Sequence, residues 1–191
     1  MSHVVVAADS AVGAACVAHF LSEGAAVTAL ASSSDHPGPE RRQAVELVAA
    51  SGGAAELYDV DFGDVDALRA IARELGPIRA LVNAHFALHV AGVRETPMTV
   101  WSEAIRTNLL DPVASTQAFV PNLEQGRPSS IGHVGSVDGL LGNPLVAAYP
   151  TTKGCACAVD TVSAGELAPA RHPSQLRGAR WSCREHGGRT D

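Results

Sequence analysis

A tyrosine and a lysine four residues apart are the strongest candidates for chemistry in this sequence. Tyr149 and Lys153 fall at the start of a predicted helix, where residues with this spacing lie on one face. Lys153 is the only lysine among the 14 basic residues. A nearby ammonium favours the phenolate, which makes a tyrosine usable as a general acid or base near neutral pH. The pair therefore predicts proton transfer at Tyr149.

Short apolar runs alternate with helical stretches over the first two-thirds of the chain. Strands are predicted at residues 3–8, 25–31, around 58, 79–84 and 129–136. Helices are predicted at residues 14–21, 39–52, 64–75, from Pro97 through Leu109, and at 147–167. This alternation predicts an α/β fold, a Rossmann-like doubly wound parallel sheet with helices on both faces. Ser136 then ends the fifth strand, and Tyr149 follows it at the same edge of the sheet.

The turn after the first predicted strand, residues 7–13, is rich in very small residues. A strand-to-helix turn of this kind is where a pyrophosphate meets the N-terminus of a helix. Ala7 and Ala11 stand where glycines are expected, and only Gly13 keeps the pattern. Each Cβ restricts backbone approach and positive φ, so the turn alone is equally compatible with an ordinary strand-to-helix connection.

Over residues 1–168 the chain resembles the short-chain dehydrogenase/reductase family, in particular members similar to 3-oxoacyl-carrier-protein reductases. Ser136 and Tyr149 are thirteen residues apart, the usual interval in that family. Further similar features are an asparagine in the fourth helix, a segment after strand four and an Asp-Val pair after strand three: Asn108, Asn83-Ala84 and Asp59-Val60. The family continues into two more strands and a substrate lid, so the resemblance also implies a truncated or frame-shifted chain.

The resemblance implies an NAD(P)-dependent oxidoreductase that interconverts a ketone and a secondary alcohol. Tyr149 is then the general acid/base, Ser136 hydrogen-bonds the substrate oxygen, and Lys153 tunes Tyr149 and binds the nicotinamide ribose. Asn108 would hold a water in the proton relay or bridge backbone groups at a helix bend. The implied cofactor contacts are Ala7, Ser10, Val12, Gly13, Ser32, Ser33, Asp59, Val60, Asn83, Ala84, Tyr149 and Lys153.

The end of the second strand favours NADP over NAD as the cofactor. An acidic residue there would accept hydrogen bonds from the adenosine ribose and select NAD. Residues 31–34 are Ala-Ser-Ser-Ser, which removes a charge that would repel a 2′-phosphate. No arginine occupies either position at which the family places one, so NAD remains the alternative cofactor.

Several features depart from the family, and they leave other interpretations open. His85 places an imidazole in the segment after strand four, where the family has no side chain near the cofactor. The spacing of His85 and His89 would also suit metal ligands, but exposed loop positions are predicted for both. Pro150 is expected to keep Tyr149 out of the helical conformation. The arginine-rich residues 169–191 predict a poorly ordered tail rather than further strands.

These departures leave two alternative interpretations open. The first is a catalytically impaired remnant that binds only nucleotide or a partner chain. The second is a metal site at Cys155, Cys157, Cys183 and His186.

Composition excludes several classes of protein. A net charge of −6 argues against a nucleic-acid partner, and no window has the length of an apolar membrane span. No metal is predicted as a cofactor. The N-terminus lacks the pattern of a signal peptide, which predicts a cytoplasmic protein acting on a small carbonyl or alcohol. Helices around residues 101–110 and 147–167 are compatible with a homodimer.

Overall fold

Strands and helices alternate along the chain and form one parallel sheet. The computed structural model describes residues 1–33 and 39–167, and the predicted tail at 169–191 lies outside them. Five strands pair in the order β3-β2-β1-β4-β5. Their bounds are β1 Ser2–Val6, β2 Val27–Ser32, β3 Ala55–Val60, β4 Ile78–Asn83 and β5 Ser130–His133. The predicted doubly wound α/β fold is confirmed.

Helices cover both faces of this sheet. Their bounds are α1 Ala11–Ser22, α2 Pro39–Ala50, α3 Val65–Leu75, α4 Met98–Ile105, α5 Asp111–Gln125, α6 Asp138–Leu141 and α7 Ala148–Leu167. Val17 of α1 packs with Val5 and Ala29 on one face, whereas Leu68 of α3 and Phe119 of α5 pack on the other. Burial of these apolar side chains on both faces explains the apolar runs of β1 and β2.

The predicted helix after Pro97 is interrupted by a π-helical turn. Residues Arg106–Leu110 form this turn between α4 and α5, and Asp111 N–H bonds to Arg106 O, five residues back. Pro112 follows at once and has no N–H to donate to the carbonyl of Asn108, four residues earlier. The π-helical turn, which contains one residue more than a regular helical turn, therefore coincides with the hydrogen bond that Pro112 cannot make to Asn108 O.

Two local predictions near the fifth strand are wrong. β5 ends at His133 rather than residue 136, because its neighbour β4 ends at Asn83, the partner of His133. Tyr149 is helical, since α7 begins at Ala148 and Pro150 is its third residue. In the first turn of a helix the missing proline N–H would have had no partner in any case. Tyr149 is thus held by helix geometry.

Candidate active site

A cavity of about 540 Å³ opens at the carboxyl edge of the sheet. It is lined by the turn after β1, the end of β2 and the segments that follow β3, β4 and β5, together with the π-helical turn. The lining residues are Ala7, Asp9, Ser10, Ala11, Val12, Ser32, Asp61, Phe62, Ala84, His85, Phe86, Arg106, Thr107, Asp111 and Val134. All five strands end at this edge, as expected of a ligand site in an open parallel sheet.

The turn after β1 is tight enough to require glycine at one position. A Cβ at Gly13 would lie 2.1 Å from Ala7 O, so no larger residue fits there. Ala7 itself has φ +57°, a conformation that costs a non-glycine residue about 1–2 kcal/mol. Ser10 caps α1 by accepting the N–H of Gly13, and its hydroxyl lies 3.0 Å from Ala84 O. The first turn of α1 therefore faces the cavity without an acidic residue.

Lys153 and Tyr149 lie together on α7, as their spacing predicts. Lys153 Nζ is 5.9 Å from the centroid of the Tyr149 ring. The ammonium donates to His85 O at 2.6 Å and to Val134 O at 2.9 Å, which ties α7 to the ends of β4 and β5. Lys153 is 2% exposed, and this burial lowers the pKa of its ammonium to about 8. Two of its three N–H groups are engaged, so one is left to reach a ligand.

Ser136 lies in the loop between β5 and α6, next to the segment that Lys153 holds. Its Oγ accepts the N–H of Asp138 at 3.2 Å. Helix α6 then packs closely on α7, where a Cβ at Gly139 would lie 2.8 Å from Gly154 N. This close backbone approach, immediately after Lys153, fixes the loop that carries Ser136 relative to α7.

Asn108 is fully buried in the π-helical turn and bridges two other elements. Its Oδ1 accepts from Ala87 N at 2.8 Å, and its Nδ2 donates to Ala87 O at 2.8 Å and to Thr152 Oγ1 at 3.1 Å. Both amide hydrogens are therefore used within the protein. Only the second lone pair of Oδ1 is left for the predicted water, whereas the bridging role is directly visible.

Residues 2–171 match the family model described as short chain dehydrogenase. The chain belongs to the short-chain dehydrogenase family. A probable galactose dehydrogenase of Rhizobium meliloti is 30% identical over 171 residues, which cover 87% of this chain and 65% of the relative. Cyclopentanol dehydrogenase of Comamonas is 28% identical over 144 residues, covering 70% of this chain and 58% of the relative. The chain thus spans about two-thirds or less of the length of these relatives.

Solved structures show the same fold. A short-chain oxidoreductase from Pseudomonas aeruginosa, described as containing an atypical catalytic centre, aligns with TM-score 0.78 and 27% identity over 88% of this chain and 65% of that one. A further structure, ElxO with NADP bound, aligns with TM-score 0.75 and 19% identity over 88% of this chain and 69% of that one. Family members are generally NAD(P)-dependent oxidoreductases, and this chain has their Rossmann-like fold.

Three charged residues that belong to different elements meet at the end of β2. Asp9 accepts the N–H of Ser32 at 3.0 Å, and Arg41 of α2 donates to Ser32 O at 2.8 Å. Arg41 also forms an ion pair with Asp59. Burial raises the pKa of the Asp9 carboxyl group, although the hydrogen bond from Ser32 N–H acts in the opposite direction.

Sequence reasoning missed Asp9 and Arg41. Asp9 could have been found as a carboxylate inside the phosphate-binding turn, whereas the proximity of Arg41 depends on how α2 packs.

The structure brings only some of the predicted cofactor contacts to the cavity. Ala7, Ser10, Val12, Ser32 and Ala84 line it. Val60 instead lies in the core, Ser33 is exposed, and Asp59 points to its partner Arg41 rather than into the cavity. Asn83 is buried, and its Nδ2 lies 3.2 Å from Thr116 Oγ1. The residues after β3 that do reach the cavity are Asp61 and Phe62, one or two positions beyond the predicted pair.

His85 and Phe86 occupy the positions that follow Ala84. The prediction of an exposed His85 is wrong, because the residue is 1% exposed and both ring nitrogens are buried. Burial lowers the pKa of His85 to about 3, with a smaller contribution from the charge of Lys153. His89 is exposed, as predicted. Phe86 was not singled out from the sequence, yet its ring meets Tyr149 edge-on at 5.5 Å between centroids.

The residues around the cavity fit a nicotinamide dinucleotide. The N-terminus of α1 faces the cavity as a site for a pyrophosphate. Lys153 and Tyr149 are not among the residues that line the cavity, and Lys153 is joined to its wall by the hydrogen bonds to His85 O and Val134 O. Nδ1 and Nε2 of His85 are fully buried and have no hydrogen-bond partner among the described residues.

Neither a metal cluster nor a membrane helix occurs in the described part of the chain. No group of three or more His, Cys, Asp or Glu side chains within residues 1–33 and 39–167 could hold a metal ion. Of the residues considered for a metal site, Cys155 is exposed, and Cys183 and His186 lie outside the described residues. No helix within the described ranges is both long and apolar enough to cross a bilayer.

Proposed function

We propose that this chain is an NAD(P)-dependent oxidoreductase that interconverts a ketone and a secondary alcohol, with Tyr149 as general acid/base. The observation that carries the proposal is the buried Lys153 ammonium 5.9 Å from the Tyr149 ring, fixed by two carbonyls at the ends of β4 and β5. A lysine so deeply buried has a desolvation cost, which its two hydrogen bonds to backbone carbonyls offset in part. The role of a charge beside a phenol is to favour proton transfer.

The proposed roles follow from the position of each side chain. Tyr149 Oη donates a proton to the carbonyl oxygen during reduction and accepts one from the alcohol during oxidation. Ser136 Oγ–H hydrogen-bonds the same substrate oxygen and stabilises its developing charge. Lys153 uses its remaining N–H for the nicotinamide ribose. Asn108 is a positioning residue, with the lone pair of Oδ1 available to a relay water. The bound dinucleotide supplies or accepts the hydride.

A preference for NADP is part of the proposal. No carboxylate side chain occurs at residues 31–33, and the guanidinium of Arg41 lies 2.8 Å from Ser32 O with further N–H groups available. A guanidinium suits the bidentate recognition of a phosphate. The carboxylate of Asp9, which accepts the N–H of Ser32, would repel a 2′-phosphate. The expected preference for NADP over NAD is therefore modest.

The proposed substrates are small ketones and secondary alcohols. The curated relatives include proteins named for galactose, xylose and cyclopentanol, all of which carry an oxidisable hydroxyl group. In this chain Leu140 and Leu141 of α6 are exposed next to Ser136, and Val146 is buried close to Tyr149 in sequence. They supply an apolar wall for the substrate.

A homodimer through α4, the π-helical turn and α7 also remains a proposal. Large apolar side chains are exposed on these elements, among them Ile105, Leu110 and Val162. Burial of such side chains against a second copy would stabilise the pair. The division into a dinucleotide-binding unit at residues 1–168 and a tail, and the cytoplasmic location, stay predictions from the sequence.

One observation favours a second candidate function, a remnant that binds dinucleotide without turnover. The ring of Phe86 meets the ring of Tyr149 edge-on at 5.5 Å between centroids, and Phe86 is more than half exposed. If Phe86 stays in this position when a dinucleotide binds, a ketone is excluded from Tyr149.

Two measurements on the full chain distinguish the candidates. Titration of NADPH and NADH by nicotinamide fluorescence reports binding, and loss of absorbance with a panel of small ketones reports turnover. Binding with turnover that disappears in Tyr149→Phe supports the oxidoreductase. Binding without turnover, together with turnover gained in Phe86→Gly, supports the remnant. Absence of dinucleotide binding contradicts both.

A further inference from the structure

The imidazole of His133 is buried where four elements of the described structure meet. His133 is the last residue of β5, and its side chain is 2% exposed. Its Nε2 lies 3.2 Å from Asn83 Nδ2 of β4 and 3.2 Å from Thr116 Oγ1 of α5. On the opposite side of the ring, Nδ1 lies 3.2 Å from Asp160 Oδ1 of α7. None of these side chains has a part in the proposed proton transfer.

Hydrogen bonds on both edges of the ring fix its orientation. Burial lowers the pKa of His133, although the hydrogen bond and the charge of Asp160 act in the opposite direction. At neutral pH the ring is therefore mainly neutral and has one N–H and one acceptor nitrogen. A carboxylate only accepts, so Nδ1–H donates to Asp160, and Nε2 accepts from the amide of Asn83. The ring cannot turn without losing one of these hydrogen bonds.

The two carbonyl groups that hold Lys153 lie next to this ring in the chain. Val134, whose oxygen accepts from Lys153 Nζ at 2.9 Å, is the residue after His133. His85, whose backbone oxygen accepts from Lys153 Nζ at 2.6 Å, comes two residues after Asn83. Asn83 and His133 are also register partners of β4 and β5. A displacement of this part of β5 would therefore move an acceptor of the Lys153 ammonium.

Asp160 attaches α7 to β5 at a second place, seven residues after Lys153. Seven residues are close to two full turns, so both side chains lie on one face of the helix, about 10 Å apart along its axis. The long, flexible side chain of Lys153 can keep its hydrogen bonds through a small shift of the helix. The shorter side chain of Asp160, paired with a ring of fixed orientation, cannot. The pair thus restricts sliding and rotation of α7, the helix that also carries Tyr149.

We infer that His133 and Asp160 are positioning residues, which fix α7 against the end of β5 and so hold Lys153 and Tyr149 in place for proton transfer. This inference rests on the proposed function, because it is the reaction assigned to Tyr149 that the pair serves. Neither residue exchanges a proton with the substrate. Both act through the position of Lys153 and Tyr149.

The first test observes the Lys153 ammonium directly. Because Lys153 is the only lysine in the sequence, labelling with ¹⁵N-lysine gives a single ammonium resonance. The wild type is compared with Asp160→Ala, which removes the carboxylate, and with Asp160→Asn, which keeps an acceptor oxygen. Glu46→Ala removes an exposed carboxylate of α2 and is the matched control. The resonance should shift or broaden in Asp160→Ala and stay close to that of the wild type in the other two variants.

The second test measures steady-state kinetics with NADPH and a small ketone. Misalignment of Tyr149 should lower kcat of Asp160→Ala about tenfold and leave the KM for the ketone within about twofold of wild type. Asp160→Asn should keep most of the wild-type kcat, which loss of the charge alone does not predict. If Asp160→Ala does not fold, Asp160→Ser replaces it, because its hydroxyl can hold a water against Nδ1–H of His133. The same changes are expected of that variant.

Three results would overturn the positioning role. They are an unchanged lysine resonance in folded Asp160→Ala, an unchanged kcat in that variant, and equal losses in Asp160→Ala and Asp160→Asn. Each leaves the proposed function intact if the wild type binds NADPH and turns over the ketone. A wild type without turnover would contradict the proposed function itself, and the lysine resonance would then still decide whether Asp160 fixes the Lys153 ammonium.

Discussion

Lys153 Nζ lies 5.9 Å from the centroid of the Tyr149 ring, and both residues belong to one face of α7. The ammonium does not point freely into the cavity, since two carbonyl oxygens from outside the helix hold it. The geometry of the pair is thus set both by helix spacing and by the ends of two strands. Substitutions at the two residues should therefore have different effects.

Replacement of Tyr149 by phenylalanine should remove turnover without unfolding the protein. Proton transfer by a positioned side chain contributes about 10²–10⁴-fold to rate, so kcat should fall by at least about 10². The hydroxyl has no protein partner among the described residues, so the free energy of unfolding and the NADPH affinity should remain near wild type. Steady-state kinetics and denaturant unfolding check this. Tyr58→Phe on β3 is the matched control, and a Tyr149→Phe enzyme that keeps most of its kcat would refute the assignment.

Replacement of Lys153 by arginine should impair both stability and turnover. The larger guanidinium has no room in a site that is 2% exposed, and overpacking of this kind costs about 1–3 kcal/mol. Its planar fork also cannot reproduce the two hydrogen bonds made by the compact ammonium. Urea unfolding and kcat measurements test this, with the exposed Arg42→Lys as control. Wild-type stability and activity in Lys153→Arg would show that the cavity needs only a positive charge.

Arg41→Ala tests the proposed preference for NADP. If the guanidinium binds the 2′-phosphate, this variant should lose about tenfold in NADPH affinity and little in NADH affinity. Asp9→Asn should have the opposite effect and favour NADPH, because it removes a negative charge beside Ser32. Fluorescence titration measures both, and Arg42→Ala controls for net charge. Equal losses for the two cofactors in Arg41→Ala would mean that Arg41 only supports the end of β2 through Asp59.

Asn108→Ala should destabilise the protein by about 2–3 kcal/mol. The substitution leaves the part-buried N–H and carbonyl of Ala87 without partners, and two such groups at the low end of about 1–3 kcal/mol each account for the expected loss. The Thr152 hydroxyl keeps its hydrogen bonds to Ala148 O and Tyr149 O. Chemical denaturation is the measurement, and Gln117→Ala at an exposed position of α5 is the control. A change smaller than about 0.5 kcal/mol would contradict the bridging role.

His85 should make the folded state sensitive to acid. Its pKa is about 3 in the folded chain and near 6.5 when unfolded, so the unfolded state binds the extra proton between these values. Stability is therefore full above pH 6.5 and falls as the pH drops toward 3, with a slope from this group of about 1.4 kcal/mol per pH unit. His133, whose pKa is also lowered by burial, adds to the slope.

His85→Leu removes the first of these contributions. Between pH 4 and pH 6 its free energy of unfolding should depend on pH less steeply than that of the wild type, by up to about 1.4 kcal/mol per pH unit. Urea unfolding at several pH values measures this, with His89→Leu as the exposed control. An unchanged slope would mean that His85 gains a partner or solvent in the folded protein.

By itself, the sequence determined the fold class and the central pair of the site. Short apolar runs and helical spacing are local properties, and the four-residue interval between Tyr149 and Lys153 has the same meaning in any helix. The sequence also indicated the turn at residues 7–13, since small residues there allow the close approach of Gly13 to Ala7. These predictions needed no knowledge of which distant residues come into contact.

Only the tertiary structure decided how the rest of the site is built. Arg41 reaches Ser32 and Asp59 because α2 packs beside the ends of β2 and β3, and no local pattern encodes that contact. The position of His85 after a strand predicts exposure, yet the residue is 1% exposed and its ring packs against Phe62. Burial and partner choice depend on residues far apart in sequence, whereas periodicity depends on neighbours. The tertiary structure therefore decided which polar groups face the cavity.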